Sequence, residues 1–272
     1  MVSPAEADRP LVIVKLGGSV ITRKREVERA RPKVLDRLAR EVANAPGARV
    51  VLLHGAGSFG HPGAIRFGLA RPPASPRAIV ERRRGATVVA LEVRRLHALV
   101  MRALVGAGAL ALSVPASTHA RNRAGELLAF ESAPFEEAVA RGYLPVSFGD
   151  VVFDDDWGVS ILSADTIAIA LAARLRPARV LFVSDVPGIL EGPPGRRRSV
   201  IAEVSDAVVS GLAPSGGAPD VTGGIRAKAI AMRRIASLGA DAGLISGLTD
   251  GALSRAIRGE SVYGSWAHAE PR

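Results

Sequence analysis

Cysteine is absent from this 272-residue chain, and aromatic residues make up only 4% of it. Without cysteine there can be no disulfide, no thiolate nucleophile and no cysteine-ligated metal. No uncharged apolar run approaches the roughly 18 residues that span a bilayer. The first ten residues, MVSPAEADRP, lack the basic and apolar regions of a signal peptide. We therefore expect a cytoplasmic protein with no membrane partner.

Lysine is scarce too. Only four of the 36 basic residues are lysines, namely Lys15, Lys24, Lys33 and Lys228. In a chain so rich in arginine, a remaining lysine can mark a position that needs a compact ammonium group rather than a planar guanidinium. The lysines therefore indicate where to look first for chemistry, although Lys33 falls in a predicted surface helix.

The net charge of +10 leaves open a non-enzyme alternative, a basic nucleic-acid-binding or regulatory protein. The positive residues are scattered along predicted helices, and few aromatic side chains are available to stack on bases. The arginine runs at 82–84 and 196–198 are interpreted as solvated surface. We therefore expect no nucleic-acid partner.

Apolar runs alternate with amphipathic stretches along the whole chain. This pattern predicts an α/β fold with a mainly parallel sheet that helices cover on both faces. The predicted strands are 11–18, 49–57, 109–116, 143–150, 178–190 and 241–247, and a hairpin is predicted over 150–161 with its turn at 155–158. The predicted helices are 31–45, 78–105, 131–142, 163–175, 223–239 and 250–259.

Three glycine-rich segments follow predicted strands or precede predicted helices: KLGGS at 15–19, HGAGSFGH at 54–61 and DVTGGIRAK at 220–228. Ligands of open α/β sheets bind beyond the carboxyl ends of the strands. Glycine lets backbone N–H groups approach phosphate oxygens, and a helix N-terminus adds a favourable dipole. The pattern favours a phosphate site, with a set of tight turns as the alternative.

The motifs VKLGGSVIT, VLLHGAGSFGHP, SFGDVVFD, LSADTIAIALA, FVSDVPGIL and DVTGGIRAKA resemble those of the amino acid kinase superfamily. Within it, the segment GSFGHPGAIRFGL at 57–69 is similar to the isopentenyl phosphate kinase family. The resemblance implies a three-layer αβα sandwich with an open, mainly parallel central sheet. It also implies one domain over 1–272, with a phosphoryl-acceptor half at about 1–155 and an ATP-binding half at about 156–272.

The activity that the resemblance implies is transfer of a phosphoryl group from ATP to isopentenyl phosphate, with Mg²⁺, in the alternative mevalonate route to isoprenoids. It also implies a homodimer. Mg²⁺ would be held largely by the ATP phosphates, so no protein ligand to the metal is expected. The alternative within this fold is fosfomycin kinase or another kinase of small phosphates or phosphonates.

The resemblance implies five catalytic residues. Lys15 would bridge the donor phosphates and the transition state, Lys24 would support the transferring group, and Lys228 would contact the ATP phosphates. Asp165 would orient the lysines. His61 would donate a hydrogen bond to the phosphate of the acceptor.

The same resemblance implies the binding residues. The expected ATP-binding residues are Lys15, Gly17, Gly18, Ser19, Gly57, Asp185, Gly223 and Lys228. The expected acceptor-binding residues are Ala56, Gly60, His61, Gly149 and Asp150. Ala56 departs from a triple-glycine loop, and its methyl group is tolerable there only if φ is negative. His54 is predicted to be structural, and the helix around 87–100 is expected to line the acceptor's tail.

Overall fold

The computed structural model describes residues 8–23, 26–45, 47–191, 199–212 and 224–270. Lys24, Gly223 and the arginine run at 196–198 lie outside the described residues. The strands are β1 Leu11–Leu16, β2 Arg49–His54, β3 Ala111–Ser113, β4 Ala120–Arg123, β5 Glu126–Phe130, β6 Leu144–Phe148, β7 Asp150–Asp154, β8 Gly158–Leu162, β9 Arg179–Ser184, β10 Asp241–Ser246 and β11 Gly264–Ala267. The helices are α1 Gly18–Ile21, α2 Pro32–Ala43, α3 Gly57–Arg66, α4 Pro76–Gly106, α5 Ala133–Ala140, α6 Ala164–Leu175, α7 Asp206–Gly211, α8 Gly224–Ser237 and α9 Ala252–Arg258.

The central sheet has seven strands in the order β11-β10-β9-β1-β2-β6-β3. Every neighbouring pair is parallel except β10 and β11. In register, Leu16 of β1 lies beside His54 of β2 and Val183 of β9, so these three strands end level with one another. The loops that follow them therefore meet at one edge of the sheet, where an α/β fold binds its ligands.

Helices cover both faces of this sheet, which confirms the predicted αβα sandwich. Successive strand residues point to opposite faces. On β1, Ile13 packs in a core cluster with residues of α5, α6 and α8, whereas Val12 and Val14 pack in a second cluster with residues of α2, α4 and α9. Because both faces are buried, the strands read as continuous apolar runs rather than as alternating patterns.

A second sheet of four strands, in the order β5-β4-β7-β8, lies outside the central one. The predicted hairpin is confirmed: β7 and β8 pair antiparallel, with Asp154 opposite Gly158. The Asp154 carboxylate accepts hydrogen bonds from the backbone N–H groups of Asp156 and Trp157, at 3.0 and 2.8 Å, which fixes the turn. The β4–β5 hairpin was not predicted from the sequence.

The glycine segment after β2 is a helix rather than a loop. Helix α3 includes Pro62, which lacks the N–H group that would bond to the carbonyl of Ser58 four residues earlier. That carbonyl instead accepts a hydrogen bond from the N–H of Glu28 at 3.1 Å. A distant segment therefore compensates for the proline, and the helix continues to Arg66.

The interpretation of 82–84 as solvated surface is wrong for Arg82, which is 2% exposed. Its guanidinium donates to the carbonyls of Leu69, Arg71 and Val159 at 2.9, 2.7 and 2.8 Å, and also to that of Gly68. A buried charge is tolerated where its N–H groups find acceptors, and these carbonyls supply them. Arg82 thereby joins α4 to the chain after α3 and to the β7–β8 hairpin.

Within the described part of the chain, no helix has the combination of length and apolar character that crossing a membrane requires.

Candidate active site

A cavity of about 450 Å³ lies at the carboxyl ends of the central strands, between the loops after β1, β2 and β6 and the first turn of α6. It brings together most of the residues that the sequence singled out. Those that line it are Lys15, Gly17, Gly18, Ser19, Ala56, Gly57, Gly60, His61, Gly149, Asp150, Asp165 and Lys228. Asp185 lies just behind the lining, where its Oδ1 accepts a 2.5 Å hydrogen bond from Ser19 Oγ.

Two lysines converge on one carboxylate in this cavity. Lys15 Nζ lies 2.5 Å from Asp165 Oδ1, and Lys228 Nζ lies 3.6 Å from Asp165 Oδ2. Lys15 is on β1, Lys228 is in the second turn of α8, and Asp165 is in the first turn of α6. The side-chain oxygen of Ser163 caps α6 by accepting from the N–H of Thr166 at 3.0 Å, which places Asp165 at the helix N-terminus.

The three side chains are almost buried, with Asp165 9% exposed. Burial alone would raise the pKa of the Asp165 carboxyl, but the ammonium groups of Lys15 and Lys228 beside it hold that pKa below its usual range. The carboxylate is therefore ionised at neutral pH. It keeps two ammonium groups close together in a site from which water is largely excluded.

The loops after β1 and β2 touch backbone to backbone. A Cβ on Gly18 would lie 2.4 Å from the nitrogen of Gly57, closer than any real contact allows. Gly57 itself has φ +51°, in the left-handed region that favours glycine. Both positions therefore need glycine, because only a bare backbone permits this approach.

The buried hydroxyl of Thr22 holds the two loops together. Its Oγ1 donates to the carbonyl of Gly18 at 2.6 Å and accepts from the N–H of Ser58 at 3.0 Å. Ala56 precedes α3 with φ −72° and ψ −27°, so the condition under which its methyl group is tolerable is met. The N-terminus of α3 therefore opens towards the cavity, and His61 lies one turn further along the same helix.

The far wall of the cavity is apolar. Val89 and Val93, one turn apart on α4, line the cavity together with Ile161 and Leu162 of β8, so the helix at 87–100 borders it. A Cβ on Gly60 of α3 would lie 2.8 Å from Val93 Cγ2, so this glycine lets the two helices pack closely. The β8 residues were missed from the sequence, although they lie in or next to the predicted hairpin at 150–161.

Asp150 lines the cavity as predicted, but its carboxylate faces away from solvent. The side chain is fully buried and forms an ion pair with Arg94 of α4, at 3.2 Å to Nη1 and 3.3 Å to Nη2. Oδ1 also accepts from the N–H of Val151 at 2.8 Å. Arg94 was missed from the sequence because it lies in no motif and nothing local connects it to Asp150.

The donors around the cavity suit an anion. Ammonium groups and backbone N–H groups at the start of α3 are the partners that phosphate oxygens take in proteins. Among the described residues, no group of three or more histidine, aspartate or glutamate side chains is placed to hold a metal ion.

Comparison with known proteins gives the same picture. The model of the amino acid kinase family matches residues 10–245. The isopentenyl phosphate kinase of Methanothermobacter thermautotrophicus is 33% identical over 264 residues, covering 94% of this chain and 98% of the relative. That of Haloferax volcanii is 36% identical over 235 residues, covering 85% and 90%.

Solved structures agree. A crystal structure of isopentenyl phosphate kinase superimposes with a TM-score of 0.83 at 29% identity, covering 94% of this chain and 99% of that one. The product complex of the Thermoplasma acidophilum isopentenyl phosphate kinase superimposes with a TM-score of 0.75 at 28% identity, covering 95% and 100%. The chain therefore belongs to the amino acid kinase family, and within that family it is similar to the isopentenyl phosphate kinases.

Proposed function

We propose that this protein transfers the γ-phosphoryl group of ATP to isopentenyl phosphate, giving ADP and isopentenyl diphosphate. One observation carries the proposal. The ion-paired cluster of Lys15, Asp165 and Lys228 lines the same cavity as His61 and a set of apolar side chains. Such a cavity suits a small molecule with an anionic head and a hydrocarbon tail. The named relatives supply the specific acceptor.

Phosphoryl transfer needs positioning and charge stabilisation more than covalent chemistry. In our proposal, Lys15 and Lys228 bind oxygens of the donor phosphates and stabilise the negative charge that develops on them during transfer. Asp165 holds the two ammonium groups in place, since without a counter-charge they would repel each other. Lys24 and Gly223 complete the donor side, as the family resemblance implies.

The acceptor phosphate binds at the N-terminus of α3. A phosphate monoester is already ionised near neutral pH, so the site needs no general base. It needs donors that bring two anions together in line. We assign this to the N–H groups at Ala56 and Gly57 and to His61, with Gly60 and Gly149 giving the acceptor room to approach.

The tail of the acceptor lies against Val89, Val93 and Ile161. Each buried CH₂ group contributes about 0.8 kcal/mol of transfer free energy, so a short branched hydrocarbon gains useful affinity from such a wall. The side chains are short enough to leave space and give no polar partner. This wall would select a hydrocarbon tail over the charged backbone of an amino acid acceptor.

Mg²⁺ fits the donor set when it is brought in on ATP. The nearby carboxylates are already engaged, Asp165 with two lysines and Asp185 with Ser19. When bound, the metal would neutralise charge on the donor phosphates. The protein's own part is to hold the phosphate oxygens from the other side through Lys15, Lys228 and the glycine backbone at Gly17 and Gly18.

A homodimer, a cytoplasmic location and a place in the alternative mevalonate route complete the proposal and rest on the family resemblance. Light scattering on the purified protein tests the first of these. A molar mass near 57 kDa, about twice the chain mass of 28.3 kDa, supports the dimer, and a mass near that of one chain contradicts it.

The function is tested by ATP- and Mg²⁺-dependent release of ADP, with isopentenyl phosphate, dimethylallyl phosphate, fosfomycin and N-acetylglutamate offered in parallel. We expect rapid turnover of isopentenyl phosphate. Lys228→Ala should abolish it, whereas Lys33→Ala, at an exposed lysine of α2, is the matched control and should not. Turnover of fosfomycin alone, or of none of the four, would overturn the proposal.

A further inference from the structure

Two buried histidines lie behind the glycine segment and form a continuous chain of polar contacts. His54 is the last residue of β2 and His97 is on α4. His54 Nδ1 lies 3.2 Å from the carbonyl oxygen of Gly55, and His54 Nε2 lies 3.1 Å from His97 Nδ1. His97 Nε2 lies 2.7 Å from the hydroxyl of Ser113 on β3. The proposed phosphoryl transfer gives none of these side chains a role.

The fold fixes the position of both rings. His54 is two residues after Leu52 and so points to the same face of the sheet, where α4 packs. Phe148 of β6 packs against both imidazoles, with its ring centroid 5.3 Å from that of His54 and 4.4 Å from that of His97. The contact between the histidines is therefore enforced by packing from three elements.

The hydrogen bonds that link Ser113, His97, His54 and Gly55 all run in one direction, from donor to acceptor. Burial lowers the pKa of His54 to about 3 and that of His97 to about 4, so both imidazoles are neutral at neutral pH. A neutral imidazole has one N–H group. Because the Gly55 carbonyl can only accept, His54 carries its proton on Nδ1, and its Nε2 accepts from His97 Nδ1. The Nε2 of His97 then accepts from the hydroxyl of Ser113, so each group is satisfied.

This arrangement controls one peptide group of the site. In a trans peptide, the carbonyl of Gly55 and the N–H of Ala56 point in opposite directions. The imidazole of His54 holds the carbonyl on the buried side of the loop. The N–H of Ala56 is thereby directed to the other side, where Ala56 borders the cavity at the start of α3.

We propose that His54, His97 and Ser113 are positioning residues for the acceptor site, which fix the Gly55–Ala56 peptide so that the Ala56 N–H donates to the acceptor's phosphate. The inference rests on the proposed function for the identity of the acceptor. The side chains themselves touch no substrate and act only through the backbone. Their loss should weaken acceptor binding and leave the ATP side almost unchanged.

Paired variants separate this role from simple packing. His97→Phe fills the space but removes the donor, whereas His97→Asn keeps an N–H donor near the Nδ1 position. Val100→Ala, at a fully buried residue one turn along α4 that packs in the core and does not line the cavity, is the control for lost packing. We expect His97→Phe to raise the KM for isopentenyl phosphate about tenfold, with the KM for ATP within about twofold. His97→Asn should recover most of the loss, and Val100→Ala should change neither KM.

An asparagine variant as impaired as the phenylalanine variant would overturn the proposal. So would a parallel loss in both KM values. If His97→Phe does not fold, the tautomers decide instead. NMR of protein labelled with ¹⁵N-histidine should show His54 and His97 both protonated on Nδ1 in the wild type. A proton on Nε2 of either ring contradicts the proposed order of hydrogen bonds.

A binding experiment with inorganic phosphate makes this test independent of the proposed kinase activity. Titrating phosphate into ¹⁵N-labelled wild-type protein should move the amide signal of Ala56, and His97→Phe should weaken that response about tenfold. If isopentenyl phosphate is not turned over but this amide responds, the proposed function fails and the positioning role stands. If the Ala56 amide does not respond to phosphate, the positioning role fails.

Discussion

The Asp165 carboxylate shows how a single residue can hold a site together. It is buried between two ammonium groups, and each of the three charges is tolerable only because the others are present. Removing the central charge leaves Lys15 and Lys228 as like charges in a medium of low polarity. The effect should therefore be larger than the loss of one surface ion pair, which contributes at most about 1 kcal/mol.

Asp165→Asn tests this directly, because asparagine keeps the shape and removes the charge. We expect kcat to fall about a hundredfold or more, since both lysines lose their orientation. We also expect the free energy of unfolding to fall by about 3 kcal/mol, as when a buried pair is broken. Steady-state kinetics and urea unfolding measure the two. Asp36→Asn, at an exposed position of α2, is the matched control and should change neither.

His61 gives the second prediction at this scale. It borders the cavity from α3, where we propose that the acceptor's phosphate binds, so its loss should affect the acceptor rather than ATP. For His61→Ala we expect kcat/KM for isopentenyl phosphate to fall about tenfold to a hundredfold, with the Kd for ATP unchanged. Kinetics and calorimetry check this, with His268→Ala at an exposed histidine as control. An unchanged acceptor kcat and KM would refute the assignment.

At the scale of the elements, the sequence predicts features that depend on neighbouring residues. It misses features that depend on contacts between residues far apart in the sequence. The strands and the β7–β8 hairpin follow from apolar runs and turn residues, and Lys15, Asp165 and Lys228 follow from motifs. Helix α3 could not be predicted, because its glycines and Pro62 argue against a helix and the compensating N–H comes from Glu28. Arg94 was missed for the same reason, since its partner Asp150 is 56 residues away.

Arg82 also connects separate elements, and its position in a run of three arginines gives no sign of this role. Its guanidinium connects α4 to the segment after α3 and to β8 by bonding to backbone carbonyls, and the bond to the Leu69 carbonyl is buried. Replacing it leaves the buried Leu69 carbonyl unsatisfied, at a cost of about 1–3 kcal/mol, and removes a charged donor from the other carbonyls. The segment after α3 should loosen as a result.

We therefore expect Arg82→Met to lower the free energy of unfolding by about 3 kcal/mol or more. Methionine preserves much of the volume and removes the five donors. Arg83→Met, at the exposed neighbouring position, should have little effect. Guanidinium unfolding of both variants measures the difference. Equal stabilities would mean that the carbonyls find other partners and that Arg82 does not join these elements.

The whole molecule should lose stability in acid over a range set by its buried histidines. The folded-state pKa values of His54 and His97, about 3 and about 4, lie below the unfolded value of 6.5. Between these limits the unfolded chain binds more protons than the folded one, so stability falls as the pH falls from about 6.5 towards 4. Each histidine contributes a slope of about 1.4 kcal/mol per pH unit in that range.

The depressed pKa of Asp165 acts lower on the scale, because its stabilisation is complete above the unfolded value of about 3.9 and is lost only as the pH falls further. The two contributions can therefore be separated by pH.

We expect urea unfolding of the wild type to show a steep loss of stability from pH 6.5 to pH 4. His97→Phe removes one imidazole whose pKa is lowered by burial, so its slope over that range should be less steep than that of the wild type. A wild-type profile that is flat above pH 4.5 would show that the two buried histidines do not remain neutral in the folded protein.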